Sequence, residues 1–514
     1  MWFIFFLSLF AYVHAKTVTY DFNVTEKWMA PDGFWRAVIA VNGQSPGPTI
    51  RARQGDTIVV NVFNGLTKDI TLHFHGLQQR GTPSMDGVPY VTQYPIPYGQ
   101  SFRYEFNTSE QYGTYWYHAH VSGVYADGLR GPMVIESKEH PFHYDKDETL
   151  MVYDWYHASS DALLTTLRST GVFPNCIQSI LFNGRGQYKE DNCSDVETAM
   201  MMGDFINGYD EMSFNTIATV THVPDVAPYT VNANPGETVL LRFINAGALV
   251  DLDISIDQHS MKVVEADGLY LAHPQTVETL HLSVGQRYSV LVNVTQDAWI
   301  RATRLNTDEM MQQSIEGRAV LKYNASSSSS SSLPSSTRWE NGTALDEKAL
   351  SPMDSFNPPK STRQLRFNLV NYKGNVWTIN GKPYKDATVP SICKHQHTDT
   401  SYDIRYGDVV DLILQISPNA TDTMAHPFHL HGHKFWVLGF GTDEYKASEL
   451  NEINPPYRDS MYLPQSGWLA LRFKADNPGT WLFHCHIEWH MDTGMAILFN
   501  EAFDKIHRPQ FCNN

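Results

Sequence analysis

Three observations predict an all-β chain built as three β-sandwich domains. Short segments such as TIVVNVFN, TLHFHGL, SFRYEF and MVIES alternate between Gly, Pro and Asn, a pattern of short strands and turns rather than of helices. The openings GDTIVV, GETVLL and GDVVDL recur at Gly55, Gly236 and Gly407, which marks an internal repeat with one copy in each third. A length of 514 residues suits about three domains at roughly 150 residues each, and an apolar content of 42% is enough to fill three cores.

Residues 1–15, MWFIFFLSLFAYVHA, form an apolar stretch closed by small residues at Val13 and Ala15, and they read as a cleavable secretory signal although no basic residue precedes them. The sandwich domains are expected over 16–140, 141–323 and 362–514. TVLLRFINA and YSVLVNV supply strands to the second, DVVDLILQI and WLALRFKA to the third. Residues 324–361 include the run Ser326 to Ser332 and continue through Pro334 and Ser336; too few apolar side chains remain to pack, which describes a flexible linker. No second apolar run reaches the roughly 18–20 residues that span a bilayer, so no membrane anchor is expected. Sequons at Asn23, Asn107, Asn192, Asn293, Asn324, Asn341 and Asn419 agree with a glycosylated protein, secreted to an extracellular or cell-wall location. A net charge of −17 argues against nucleic acid, whose phosphates call for a basic surface.

Ten of the 22 histidines fall in four clusters: HFHG at His73 and His75, HAH at His118 and His120, HPFHLH at His426, His429 and His431, and HCHIEWH at His484, His486 and His490 around Cys485. The others, His259 and His433 among them, read as ordinary core or surface residues. One HxH pair would carry little meaning; four clusters amount to a ligand set. Structural zinc takes four ligands and favours cysteine pairs, and this set has one cysteine and too many imidazoles. Imidazole with thiolate suits copper, and one cysteine, two histidines and a distant methionine describe a blue copper site. On an extended strand, residues an even number apart share a face. By that parity His426 and Cys485 turn away from their neighbours and form a mononuclear site with His490 and Met495. His73, His75, His118, His120, His429, His431, His484 and His486 remain for a separate cluster, enough imidazole for three copper ions. Peptide bonds from Cys485 to both flanking histidines would join the sites.

Beyond these ligands, the chain carries NGQSPGPTI, QYGTYWYHAH, DGLRGPMVI, LFNGRGQY, VVEADG and RFKADNPGTWLFHCHIEWH, with HPFHLHGHKFWVLGFG followed by NPPYRDS. With these motifs it resembles the multicopper oxidase family over essentially its whole mature length, and within it ascorbate oxidases and related fungal laccases. The resemblance implies three cupredoxin-like Greek-key domains and four copper ions: one type 1, one type 2 and a type 3 pair. It puts type 2 copper on His73 and His429, one type 3 ion on His75, His118 and His486, and the other on His120, His431 and His484. It also implies oxidation of a small-molecule donor coupled to reduction of O2 to water. Asp86 and Glu488 stand where the family keeps its proton-relay carboxylates; the alternative is that they only hydrogen-bond to ligating histidines. Similarity to ascorbate oxidase suggests that Trp155 and Trp377 flank an exposed edge of His490 and stack on a flat donor, or else serve as core aromatics.

With Cys485 assigned to copper, four cysteines remain. Cys176 and Cys193 form the natural local pair, and Cys393 with Cys512 follows by elimination, although relatives tie the last cysteine to a first-domain position occupied here by Tyr94. A methionine axial ligand favours easily oxidised donors such as ascorbate, hydroquinones and ortho-diphenols. The carboxylate that orients donors in fungal laccases is replaced by Leu249, with Asp251 and Asp253 close by. A second reading is ferroxidase, because Asp422 stands where yeast iron oxidases carry an aspartate; their glutamate corresponds to Asn232. A third is a copper-binding protein without turnover.

Overall fold

The structure, a computed structural model, describes residues 15–188, 226–304, 315–323, 332–340, 342–372, 375–416 and 424–513. Its strands form six sheets that fall into three consecutive pairs along the chain, each a cupredoxin-like sandwich. The first pair places Arg36–Val41, Thr17–Met29, Thr57–Asn64 and Ser101–Asn107 over Ile50–Arg53, Arg130–Glu136, Gly113–His118 and His73–His75.

The repeated openings occupy equivalent places. Thr57–Asn64, Thr238–Asn245 and Val409–Ile416 each pair parallel with the first strand of their unit, with Thr57 opposite Thr17, Val239 opposite Lys146 and Val410 opposite Arg363. Each also pairs antiparallel on its other side, with Ser101–Asn107, Arg287–Asn293 and Trp468–Lys474. The turn Gly–Asp or Gly–Glu before each strand thus returns the chain to the centre of a sheet.

The histidine-bearing strands form two matching hairpin-like pairs. His73–His75 runs antiparallel to Gly113–His118, with His73 opposite His118, and His426–Leu430 runs antiparallel to Gly479–Cys485, with His429 opposite His484. Gly113–His118, His426–Leu430 and Gly479–Cys485 are buried at every position. A strand wet on one face alternates, as Thr17–Met29 does in part; these strands are covered on both faces and so read as continuous apolar and aromatic runs.

Helix is scarce. Ser160–Thr170 is capped by Ser159, whose hydroxyl accepts from the Ala162 N–H, and ends on Gly171 at φ 73°. It buries Leu163, Leu164 and Leu167, and its Arg168 pairs with Asp492 of the short helix Glu488–Asp492, which carries His490. No helix among the described residues is long and apolar enough to cross a membrane.

Cys393 and Cys512 are joined by a disulfide, Cα–Cα 5.1 Å, as elimination expects. Tyr94 packs edge-on to Phe511 beside that bridge, at 6.0 Å between ring centroids. Cys193, the signal segment up to residue 14 and most of the serine run lie outside the described residues.

Candidate metal centre

The four clusters meet in two buried groups where the first and third sandwiches abut. In the larger group the sets His73–His429–His431, His73–His75–His118 and His120–His431–His484 each hold ligand atoms within 4.8 Å of one another. His431 Nε2 lies 3.1 Å from His484 Nε2, and His486 Nε2 lies 3.2 Å from His75 Nδ1. Two imidazole nitrogens bound about 2 Å from one ion sit roughly 3 Å apart, so both spacings suit a shared metal.

Backbone carbonyls orient these rings. Nδ1 of His73, His118, His429 and His484 donates to the carbonyls of Asp86, Ala119, Asp459 and Cys485 at 2.7 to 2.8 Å. Each bond leaves Nε2 as the ligand atom. Nε2 of His73, His118, His120 and His429, and Nδ1 of His486, are buried with no hydrogen-bond partner among the described residues. The four orphaned Nε2 atoms belong to rings of one cluster and carry a desolvation cost that a bound metal ion removes. Burial first, then neighbouring imidazoles, hold His118, His429 and His431 well below the usual histidine range. Burial likewise lowers His484 and His486 to about 3. Neutral imidazole is the form that binds a metal.

In the smaller group Cys485 Sγ lies 3.7 Å from His426 Nδ1 and 3.8 Å from His490 Nδ1, all three residues buried. The Cys485 N–H donates to the Met495 carbonyl at 3.1 Å and the Met495 N–H to the His490 carbonyl at 3.0 Å, so the methionine backbone brackets this group. One thiolate with two imidazoles suits copper.

The two groups separate along the strands with one departure from a purely extended geometry. His426, His429 and Cys485 lie within strands, but His120, His431 and His486 sit just past their strand ends, and His490 is on the helical turn Glu488–Asp492. A turn, not strand alternation, folds His490 back towards Cys485.

Asp86 Oδ2 accepts from His431 Nδ1 at 2.9 Å, while Oδ1 lies 3.3 Å from His73 Nδ1. Glu488 accepts from the Gly123 N–H, and its own N–H donates to the Ala248 carbonyl at 3.0 Å. Burial, reinforced by the Asp492 carboxylate and opposed by the Gly123 N–H, pushes Glu488 up to about 8. A cavity of about 410 Å³, lined in part by Val88, Ser122, Asp386 and Met491, reaches His120 from the surface.

The two tryptophans divide between the alternatives left open for them. Trp155 does not flank His490: it is buried under the Arg36 guanidinium, 4.8 Å from its ring centroid, and serves the core. Trp377 does touch the smaller group, 4.8 Å from both His426 and His490, but it is fully buried and offers no open face. The edge of His490 is itself only 2% exposed. The ring placed against it is Phe173, half-buried at 5.1 Å. Sequence reasoning missed Phe173 because nothing local in TGVFPN indicates a partner far along the chain. Asp422 lies outside the described residues, and Asn232 sits exposed on Thr230–Ala233, its carbonyl accepting from Lys146 Nζ. Asp251 and Asp253 flank His281.

Comparison with known proteins agrees with this chemistry. Multicopper oxidase family models match residues 23–140, 146–326 and 357–504. Laccase-1 of Cryptococcus neoformans is 34% identical over 548 residues, covering 97% of this chain and 83% of that one. L-ascorbate oxidase of Cucurbita maxima is 33% identical, covering 95% and 91%. The crystal structure of Fet3p, a multicopper oxidase that functions in iron import, superposes with TM-score 0.80 at 27% identity, covering 96% and 93%. With family matches in all three sandwiches and two buried groups whose donors suit copper, the chain belongs to the multicopper oxidase family, whose laccases and ascorbate oxidases are oxygen-dependent oxidoreductases.

Proposed function

We propose that this chain is a secreted, laccase- or ascorbate-oxidase-like enzyme that couples one-electron oxidation of phenolic, hydroquinone or enediol donors to four-electron reduction of O2 to water. The observation that carries the reading is the covalent link through Cys485, which belongs to the smaller group while its neighbours His484 and His486 belong to the larger. When bound, copper supplies the one-electron steps and the site of O2 reduction. His426, Cys485 and His490 with Met495 would hold type 1 copper. His73 and His429 would hold type 2, and the remaining six histidines the type 3 pair. The three sandwiches would correspond to domains 16–140, 141–323 and 362–514.

The chain's own groups have separate tasks. Cys485 and His490 occupy the position at which electrons enter, with Phe173 and Trp377 covering the imidazole. Asp86 is hydrogen-bonded to His431 and adjacent to His73, so its carboxyl can both orient a ligand and pass a proton to the cluster. Glu488, two residues after His486, is anchored by Gly123 and can deliver a second proton. The cavity ending at His120 offers a path for O2 and water.

The test is donor-dependent oxygen uptake by copper-loaded protein with peroxide measured in parallel. Water as the product, with colour and turnover by every donor lost in Cys485→Ser, is expected; peroxide as the chief product would sink the reading. Absence of donor-dependent uptake would favour a copper-binding protein. Iron oxidation is separated by kcat/KM for ferrous ion, ascorbate and a hydroquinone, in parent and Asp422→Ala. A loss confined to iron in that variant would favour the ferroxidase reading.

A further inference from the structure

Away from the copper groups, the segment KHQHTDT after Cys393 brings two imidazoles onto one carboxylate. His395 Nε2 lies 2.7 Å from Asp403 Oδ1 and His397 Nδ1 lies 3.7 Å from Asp403 Oδ2, with the two rings 4.1 Å apart. Each imidazole addresses its own carboxylate oxygen. An exposed His–Asp ion pair contributes little by itself, and one carboxylate needs only one partner.

The surroundings hold these groups in place. Asn500, buried beneath them, donates from Nδ2 both to Asp403 Oδ1 at 3.2 Å and to the Gln396 carbonyl at 2.9 Å, fixing the carboxylate and the HQH backbone with one side chain. Ser401 Oγ donates to the same Gln396 carbonyl at 3.0 Å. Phe503 stacks on His395 at 4.5 Å with planes 14° apart, which limits that ring's rotation. Lys505 and Arg508 line the same surface groove, yet they lie over the rings of Tyr406 and Phe503. Preorganised ligands with outer hydrogen bonds are what a metal site requires.

We infer that His395, His397 and Asp403 form a surface site for a borderline divalent transition ion such as Zn2+ or Cu2+, separate from the oxidase copper. Two nitrogens and one carboxylate favour such ions over Ca2+ or Mg2+, which prefer all-oxygen sets. The ion would join the segment that follows the Cys393–Cys512 disulfide to Ser401–Ile404, the outermost strand of the sheet that carries Gly479–Cys485. An edge strand has one unpaired side, and a clip at its start resists fraying.

The probe is Zn2+, titrated calorimetrically into copper-loaded protein. The parent should take up one Zn2+ more than His397→Gln or His395→Ala. Asn500→Ala should keep the site but weaken it roughly 10- to 100-fold, as loss of an outer hydrogen bond does. Blue absorbance and oxidase turnover should not change in His397→Gln, whose side chain is 70% exposed on the surface. Equal Zn2+ uptake by parent and His397→Gln, or no uptake by the parent, overturns the site; neither result bears on the oxidase reading.

Discussion

His490 is buried against aromatic neighbours. Phe173 and Trp377 cover it, and only Phe173 is partly accessible, so under the proposed function this ring would set how closely a donor approaches. Phe173→Ala should change the kcat/KM ratio between a bulky hydroquinone and ascorbate by about 10-fold, the scale on which a pocket discriminates size, while blue absorbance stays; an unchanged ratio would remove Phe173 from the donor site. At His281, burial alone would lower the imidazole, but the Asp253 hydrogen bond and the Asp251 and Glu347 charges outweigh it and push it up to about 9. The unfolded value is about 6.5, so the stabilisation is complete below that pH and disappears as pH rises through about 9. The melting-temperature gap between parent and His281→Gln should therefore be widest near pH 6 and close by about pH 10; a constant gap would contradict the pairing. Ligand residues were legible because HxH repeats are local and their chemistry is narrow. Phe173, in the loop after Ser160–Thr170, was not, because nothing local points to His490, and Trp155 stayed open between two roles because an aromatic in a buried strand looks the same whether it faces a core or a site.

Strand ends, more than strands, shape the metal groups. His120, His431 and His486 lie where their strands stop, and alternation alone could not foresee that a helical turn brings His490 to Cys485. Alternation and turn residues did make the strands readable, and the three Gly–acid openings marked equivalent central strands. A further turn matters equally. Gly285, between Thr279–Leu282 and Arg287–Asn293, has φ 85°, and a Cβ there would stand 3.0 Å from His75 Cε1 and 3.1 Å from His486 Cδ2. Gly285→Ala should cost about 1–2 kcal/mol for the left-handed backbone alone and displace both rings. Copper content should fall below that of the parent while blue absorbance persists; full copper content would show that the turn can yield.

Across the whole molecule, the middle sandwich contributes charge rather than ligands to the centre. Arg287 Nη2 donates to Asp459 Oδ2 at 2.7 Å, Lys434 Nζ reaches the same carboxylate at 3.0 Å, and Arg458 Nε donates to Asp267 at 2.7 Å, all buried. Asp459 is also 3.5 Å from His75 and lends its carbonyl to His429. Arg287→Met leaves that carboxylate short of a partner and should cost about 3–5 kcal/mol, read as a lower urea midpoint together with copper loss; an unchanged midpoint would mean the network is redundant. Such contacts join residues far apart in sequence, so the pattern predicted three sandwiches without revealing what cements them.

The imidazoles of the first sandwich leave the ribosome about three hundred residues ahead of those they face, since His120 precedes His431, whose ring it meets, by that interval. A nascent polypeptide that has made only the first sandwich therefore exposes half of the larger nest, and the smaller one, drawn wholly from the third, does not yet exist. Neither set of donors is complete until the third sandwich has been made.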